Sequence, residues 1–313
     1  MPTTDVHQHL WPTPFLDALR ARTAPPRLTG WTLELPGEQP YVVDPDDHDP
    51  QHRAASAETE RILVAPSAAL GLDRLDHAET AELREAWLEG ALALPAPFAA
   101  WTMAGLRAPD GDALRRDLDR GAVGLELAAD ALAAPGGLDH LAPLLDVLDA
   151  RRRPLLVHPG PAGDPPDRPP AWMRPAAAGA PDRPAWWTPV VPYVAQLHAA
   201  WWAWADGGRA RWPRLPVVFV ALAGLGPLHG DRMRARGGEQ RPVDPLAFVE
   251  TSSYGTQSVD AVIRVLGIDV VCLGSDRPYA APPRLGFGAA ARHAIESANP
   301  GRLLARAPQE VYA

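Results

Sequence analysis

His7 and His9 stand one residue apart near the start of the chain, in a short apolar run. Because alternate side chains of a β-strand lie on one face, a strand here places Asp5, His7 and His9 on the same side. Neutral imidazole is the most common metal ligand among protein side chains. The pair therefore predicts two ligands of a metal site, at the end of a first strand that Pro12 stops.

Two more candidate ligands follow apolar runs elsewhere in the chain. His158 ends the run 154–158, and Asp276 follows the run 270–274. In a barrel of parallel strands, the strand ends meet at one rim, which carries the active site. Three imidazoles and one carboxylate suit a divalent ion, with zinc first and manganese or iron as alternatives. Asp276 could contact the ion and also accept a proton from its water, which makes it the candidate catalytic residue.

The elements that position these side chains follow from the spacing of apolar residues. Short apolar runs alternate with helical patterns, which is typical of βα units around a parallel sheet. The predicted strands are 4–10, 61–65, 98–102, 122–127, 154–158, 217–222, 247–251 and 270–274. The clearest helical stretches are 78–94, 111–120, 138–151, 191–205 and 257–266. The pattern favours an α/β fold, a distorted TIM (β/α)8 barrel that forms one domain over 1–313, with an open doubly wound sheet as the alternative.

Two segments interrupt the alternation of strands and helices. The first, residues 11–57, is an insertion after strand one, in which 30–35 and 41–44 alternate well enough for a small hairpin. The second, residues 159–185, holds nine prolines and follows a predicted strand end. A lid over the site and a solvated linker are the two interpretations of this second segment.

Several further side chains are candidates for substrate contact. Trp186 and Trp187 lie in irregular chain before a helix and could form the wall of an aromatic or apolar pocket. Trp11 and Tyr254 follow the first and seventh predicted strands. Arg277 follows Asp276, and its guanidinium could bind a substrate carboxylate.

Composition excludes several function classes. A net charge of −8 and a pI near 5.7 argue against nucleic acid or an anionic membrane as a partner. The absence of lysine from the sequence excludes Schiff-base catalysis, and the single Cys272 excludes an internal disulfide. No P-loop or dinucleotide-binding glycine pattern occurs. We expect a small-molecule substrate, a cytoplasmic location without a secretion signal, and a chain that could pair as a homodimer.

The motifs together resemble a known family. The segments 5–10, 156–160 and 273–278 look like those of the amidohydrolase-related family, a branch of the amidohydrolase superfamily that includes aminocarboxymuconate-semialdehyde decarboxylase. The resemblance implies a distorted (β/α)8 barrel with one catalytic metal, usually zinc. It implies His7, His9 and His158 as metal ligands, and Asp276 as both ligand and proton acceptor. Glu126 lies near the position where dinuclear relatives place a bridging ligand.

The chain departs from the family's pattern at the end of strand six. The family usually carries a histidine there, whereas this chain has Ala221. Loss of a general acid or base typically lowers the rate by about 10²–10⁴-fold. Three hypotheses therefore remain. The first is a metal-dependent hydrolase in which bound water attacks a carbonyl. The second is a lyase, a non-oxidative decarboxylase or hydratase of a small aromatic or unsaturated carboxylic acid. The third is a relative that binds a metal or ligand without catalysis.

Overall fold

The computed structural model describes residues 1–36, 38, 40–162, 184, 186–239 and 242–305. Most of the segment predicted as a lid therefore lies outside the described residues. In chain order the strands are β1 (Thr4–His9), β2 (Arg27–Thr29), β3 (Thr32–Glu34), β4 (Tyr41–Val42), β5 (Arg61–Ala65), β6 (Phe98–Ala100), β7 (Thr102–Met103), β8 (Leu125–Ala128), β9 (Leu155–His158), β10 (Val217–Phe219), β11 (Ala247–Glu250) and β12 (Val271–Cys272).

Parallel strands follow one another around a barrel in sequence order. One sheet has the order β1-β5-β6, and a second runs β7-β8-β9-β10-β11-β12. The two sheets meet at Trp101. Its backbone N–H donates to Val64 O at 2.9 Å, and the backbone N–H of Thr102 donates to Gly124 O at 2.9 Å. At the other junction, Val6 N donates to Leu273 O at 2.9 Å. The predicted α/β barrel is confirmed, with its third strand divided in two.

Helices cover the outside of this barrel. They are α1 (Thr13–Ala21), α2 (Pro50–Ala55), α3 (His77–Leu92), α4 (Gly111–Arg120), α5 (Ala129–Ala133), α6 (Gly137–His140), α7 (Ala142–Arg151), α8 (Trp187–Val190), α9 (Pro192–Ala203), α10 (Arg209–Arg211), α11 (Gly230–Ala235), α12 (Thr256–Leu266), α13 (Ala289–His293) and α14 (Asn299–Leu303). α4 shows why a helix starts where it does. The Asp110 carboxylate accepts from the N–H groups of Asp112 and Ala113, both at 2.9 Å, and so caps its first turn.

The insertion after β1 forms a small antiparallel sheet of its own. β3 pairs with β4 through Thr32 opposite Val42, which confirms the predicted hairpin. β2 adds a strand on the other side of β3. This strand is absent from the sequence prediction because Arg27–Thr29 is too short to show a period.

Of the predicted barrel strands, the sixth (217–222) and the eighth (270–274) are shortened most in the structure. β10 ends at Phe219 because the backbone turns left-handed at Ala221, and β12 ends at Cys272. Across the described residues, every helix is too short or too polar to cross a membrane.

Candidate metal centre

The four predicted ligands come together at one rim of the barrel. His7 and His9 end β1, His158 ends β9, and Asp276 follows β12. One ligand atom from each lies within 4.8 Å of the other three. The imidazoles are buried, whereas the Asp276 side chain keeps 23% of its surface exposed. A group held by these side chains would therefore be open to a small molecule from the side of Asp276.

The distances among these atoms suit a single ion. His7 Nε2 lies 3.1 Å from His9 Nε2. Asp276 Oδ1 lies 3.2 Å from His9 Nε2 and 3.7 Å from His7 Nε2. Two ligands that are each about 2.1 Å from one tetrahedral ion stand about 3.4 Å apart. The His7, His9 and Asp276 atoms thus match the spacing around one divalent cation of the zinc or manganese type, and a ring nitrogen of His158 lies within 4.8 Å of them.

The outer nitrogen of each imidazole has an oxygen partner. His9 Nδ1 lies 3.0 Å from Ala65 O, and His158 Nδ1 lies 2.8 Å from Pro159 O. His7 Nδ1 lies 3.3 Å from the Glu250 carboxylate. A proton on Nδ1 satisfies each oxygen and leaves the Nε2 lone pair free for an ion. Contacts of this kind fix the orientation and the tautomer of metal-binding histidines.

The charges around the cluster favour a cation. Burial lowers the pKa values of His9 and His158, so both imidazoles are neutral and able to bind a metal. Burial also lowers the pKa of His7, but the hydrogen bond to Glu250 and the nearby carboxylates outweigh burial and raise it to about 9. His7 therefore attracts a positive charge, which a metal ion can supply in place of a proton.

Asp276 carries a negative charge at neutral pH. Burial raises the pKa of its carboxyl group, but the hydrogen bond with His9 and the electrostatic attraction of His7 outweigh burial and lower it. The ionised carboxylate can bind a cation or accept a proton. The backbone of Asp276 is left-handed, with φ of 59°, so the chain turns sharply here and directs the side chain back toward β1.

The predicted alignment of Asp5 with the two histidines is wrong. Asp5 pairs with Ile62, and Gln8 pairs with Val64, so β1 has an extra residue between these two points. Such a bulge changes the alternation of side chains along the strand. Asp5 instead accepts from Gln8 Nε2 at 2.7 Å and from Ser275 Oγ at 2.6 Å. It ties β1 to the segment that carries Asp276.

The sixth barrel strand, β10, is followed by a turn at residues 221–225, here called the strand-six turn, which contributes backbone atoms to this rim. Residues 221–225 all have φ between 48° and 60°, in the left-handed region. The N–H of Ala221 donates to Glu250 Oε1 at 2.7 Å. His229, the nearest histidine in sequence, pairs instead with His198, with ring centroids 4.7 Å apart.

The predicted substrate contacts lie in different surroundings. Trp11 is fully buried, stacks on His48 and donates its indole N–H to Pro66 O, so its ring is enclosed by the protein. The guanidinium of Arg277 donates to Ser56 O at 3.1 Å, which engages it with the insertion. Trp186 is exposed and packs on Trp187 at the start of α8. Tyr254 is half-buried after β11.

Two residues near the cluster were absent from the predicted site. Glu250 contacts His7, and the Tyr279 ring centroid lies 5.4 Å from that of His9. A carboxylate in the apolar strand β11 was the available signal for Glu250, because a buried charge needs partners. Tyr279 gives no such signal, because only the turn after Asp276 places it over the rim.

Comparison with known proteins gives structural but no sequence matches. No protein-family model matches the chain, and no curated protein matches it. IDCase of Metarhizium anisopliae in its apo form is 15% identical, with 96% of this chain and 96% of that chain covered and a TM-score of 0.73. The 2,6-dihydroxybenzoate decarboxylase from Rhizobium is 16% identical, with coverages of 97% and 98% and a TM-score of 0.66.

A third solved structure contains a metal ion. It is 5-carboxyvanillate decarboxylase from Novosphingobium aromaticivorans, complexed with manganese and 4-hydroxy-3-methoxy-5-nitrobenzoic acid. It is 14% identical, with coverages of 96% and 95% and a TM-score of 0.67. Its fold extends over nearly the full length of both chains. The present chain thus shares its overall fold with these three solved structures.

Proposed function

We propose that this protein is a metal-dependent decarboxylase of the amidohydrolase-related family that acts on a small aromatic carboxylic acid. The observation that carries the proposal is the convergence of His7, His9, His158 and Asp276 at the rim of a barrel whose solved neighbours include decarboxylases. These neighbours support the lyase hypothesis over the hydrolysis that the sequence motifs place first. The proposal includes a small-molecule substrate at this rim and excludes nucleic acid and membranes as partners.

The cofactor in this proposal is one divalent ion. His7, His9 and His158 would hold it through Nε2, and Asp276 through a carboxylate oxygen. When bound, the ion supplies positive charge that stabilises the carboxylate and phenolate oxygens of a substrate. The manganese of the 5-carboxyvanillate decarboxylase and the donor set of this chain support manganese or zinc.

Asp276 would move the proton that decarboxylation requires. Because its lowered pKa leaves it ionised at neutral pH, it first accepts a proton, for example from a phenol next to the substrate carboxylate. It then gives this proton to the ring carbon that carries the carboxylate. The carbon–carbon bond breaks, CO2 leaves, and the electron pair of that bond returns to the ring. The resulting phenolate takes a proton from water. This route needs no histidine on strand six.

Tyr279 would provide an aromatic surface for such a substrate. Its ring is close to His9, and 45% of the residue is exposed. A flat substrate ring that lies against it would keep the carboxylate directed toward the histidine cluster. Offset and edge-to-face contacts between aromatic rings contribute about 0.5–1.5 kcal/mol beyond burial.

CO2 release from a panel of ring acids tests the proposal. Protein stripped with a chelator and reloaded with Mn²⁺ or Zn²⁺ would be assayed with 2-hydroxybenzoates, aryl esters and lactones. We expect CO2 release from one or more hydroxybenzoates, lost without the ion. Metal-dependent ester or lactone hydrolysis without CO2 release would establish the hydrolase instead. A tightly held ion with no turnover on either class would favour a binding protein.

A further inference from the structure

The buried carboxylate of Glu250 collects hydrogen bonds from three separate segments of the rim. Ala221 N donates to Oε1 at 2.7 Å. Ser252 donates to Oε1 through Oγ and to Oε2 through its backbone N, both at 2.6 Å. His7 Nδ1 lies 3.3 Å from Oε1. Glu250 has no exposed surface, so these donors must replace the water that a free carboxylate would bind.

The fold makes room for this side chain at Gly274. A Cβ atom at that position would lie 2.0 Å from Glu250 Oε2, a separation that atoms do not tolerate. Gly274 comes immediately before the turn that carries Asp276. The carboxylate therefore occupies a space between β1, β11, the strand-six turn and the segment after β12.

The hydrogen bond to His7 decides which nitrogen faces the cluster. Glu250 Oε1 already accepts hydrogen bonds from Ala221 N and Ser252 Oγ, so its contact with His7 requires a proton on His7 Nδ1. Nε2 is then the nitrogen that faces His9 Nε2, 3.1 Å away, and it is the one that an ion can take in place of a proton. Glu250 also holds the N–H of Ala221, the first residue of the left-handed turn, so one carboxylate fixes both features.

We propose that Glu250 is a positioning residue for the metal centre, which fixes the tautomer and orientation of His7 and anchors the strand-six turn against it. The inference rests on the proposed ion but not on the proposed reaction. Glu250 is the last residue of β11, the seventh barrel strand. In this role it acts on the site through His7 and contacts neither the ion nor the substrate.

Mn²⁺ titrations of the whole protein test this role without any assay of activity. Changes in the outer shell of a metal site typically lower affinity by about 10–100-fold, and we expect this loss in Glu250→Gln. Glu250→Asp keeps the charge but withdraws the carboxylate from His7 by one methylene group, so we expect a similar loss. Asp73→Asn removes a different buried carboxylate and should change the affinity by less than about threefold.

The contrast between the variants decides between positioning and charge. Wild-type affinity in Glu250→Asp together with weak binding in Glu250→Gln would show that only the charge matters and would overturn the inference. Wild-type affinity in both Glu250 variants, or an equal loss in Asp73→Asn, would also overturn it.

Nitrogen NMR of the His7 imidazole gives a second readout that needs neither a metal nor a foldable variant. We expect a proton on Nδ1 of His7 that is protected from exchange in the wild-type protein and, where the variant folds, exchanges faster in Glu250→Gln, because an amide oxygen accepts more weakly than a carboxylate. A bare Nδ1, or one whose proton exchanges freely, would overturn the inference. Failure of the wild-type protein to bind any divalent ion would contradict the proposed function instead, and the state of Nδ1 would still decide the role of Glu250.

Discussion

The two sides of the rim are built in different ways. On the side of β1 and Asp276, side chains carry the chemistry: His7 and His9 face Asp276, and Asp5 holds Ser275 by a 2.6 Å hydrogen bond. On the strand-six side, the Ala221 methyl group offers no chemistry, and its backbone N–H binds Glu250. The difference shows that four candidate ligands can converge at a rim one side of which contributes only backbone atoms. In the proposed function, the proton chemistry is therefore assigned to Asp276.

Removal of both histidines from β1 should have the largest effect on this comparison. Loss of an outer contact costs about 10–100-fold in metal affinity, so loss of two ligands should lower it by about 10⁴-fold or more. We expect the His7→Ala/His9→Ala protein to contain no bound ion by elemental analysis. The double variant His198→Ala/His229→Ala removes another close pair of imidazoles and should keep its ion. An ion retained in the first variant would place the metal site elsewhere.

Asp276→Asn should separate metal binding from proton transfer. The amide keeps an oxygen for the ion but cannot accept a proton at neutral pH. We expect kcat for CO2 release to fall by about 10²–10⁴-fold while most of the bound metal remains. Rate measurements and metal analysis on the same sample would check this. Unchanged kcat would mean that another group moves the proton. A group on the strand-six side of the rim would then be the next candidate for proton transfer.

Much of the architecture follows from the sequence alone. The apolar runs predict the barrel strands because buried parallel strands need continuous apolar residues, as in Leu155–His158. The same logic places the four ligands at strand ends. The prediction fails at Asp5 because the spacing of apolar residues does not reveal a β-bulge. It fails at Ala221 because left-handed turns are usually signalled by several glycines, which this segment lacks. The role of Glu250 depends on contacts between residues that are distant in sequence.

Asp73 provides a contrast to the well-partnered carboxylates of the rim. It is buried, its Oδ1 lacks a hydrogen bond, and burial raises its pKa to about 7 from an ordinary 3.8. The folded state then binds more protons than the unfolded state between these values, so stability should fall as pH rises from 4 to 7. Asp73→Asn should remove this loss and raise the unfolding free energy at pH 8 by about 4 kcal/mol.

Denaturant unfolding of both proteins at pH 5 and pH 8 would measure this difference. Parallel pH dependences in the wild-type protein and in Asp73→Asn would show that Asp73 ionises without cost. Hydrogen-bond donors would then not be what keeps a buried carboxylate charged in this protein, and Asp73 would not differ from the carboxylates of the rim.

An alanine-to-glycine substitution should raise the unfolding free energy in the strand-six turn and lower it in a helix. Ala221 has φ of 48°, where a side chain is strained, so Ala221→Gly should raise the unfolding free energy by about 0.5–1 kcal/mol. Ala86 lies inside α3, and Ala86→Gly should lower it by about 1 kcal/mol. Thermal unfolding of the two variants would check the signs. Destabilisation by both would argue against a left-handed turn at Ala221.

Anomalous diffraction from crystals grown with Mn²⁺ tests the central claim most directly, because it locates the ion without any substrate. We predict one strong peak at the rim, about 2.0–2.4 Å from the Nε2 atoms of His7, His9 and His158 and from an Asp276 carboxylate oxygen. A peak bound by other residues, or no peak among these four side chains at saturating Mn²⁺, would contradict the account.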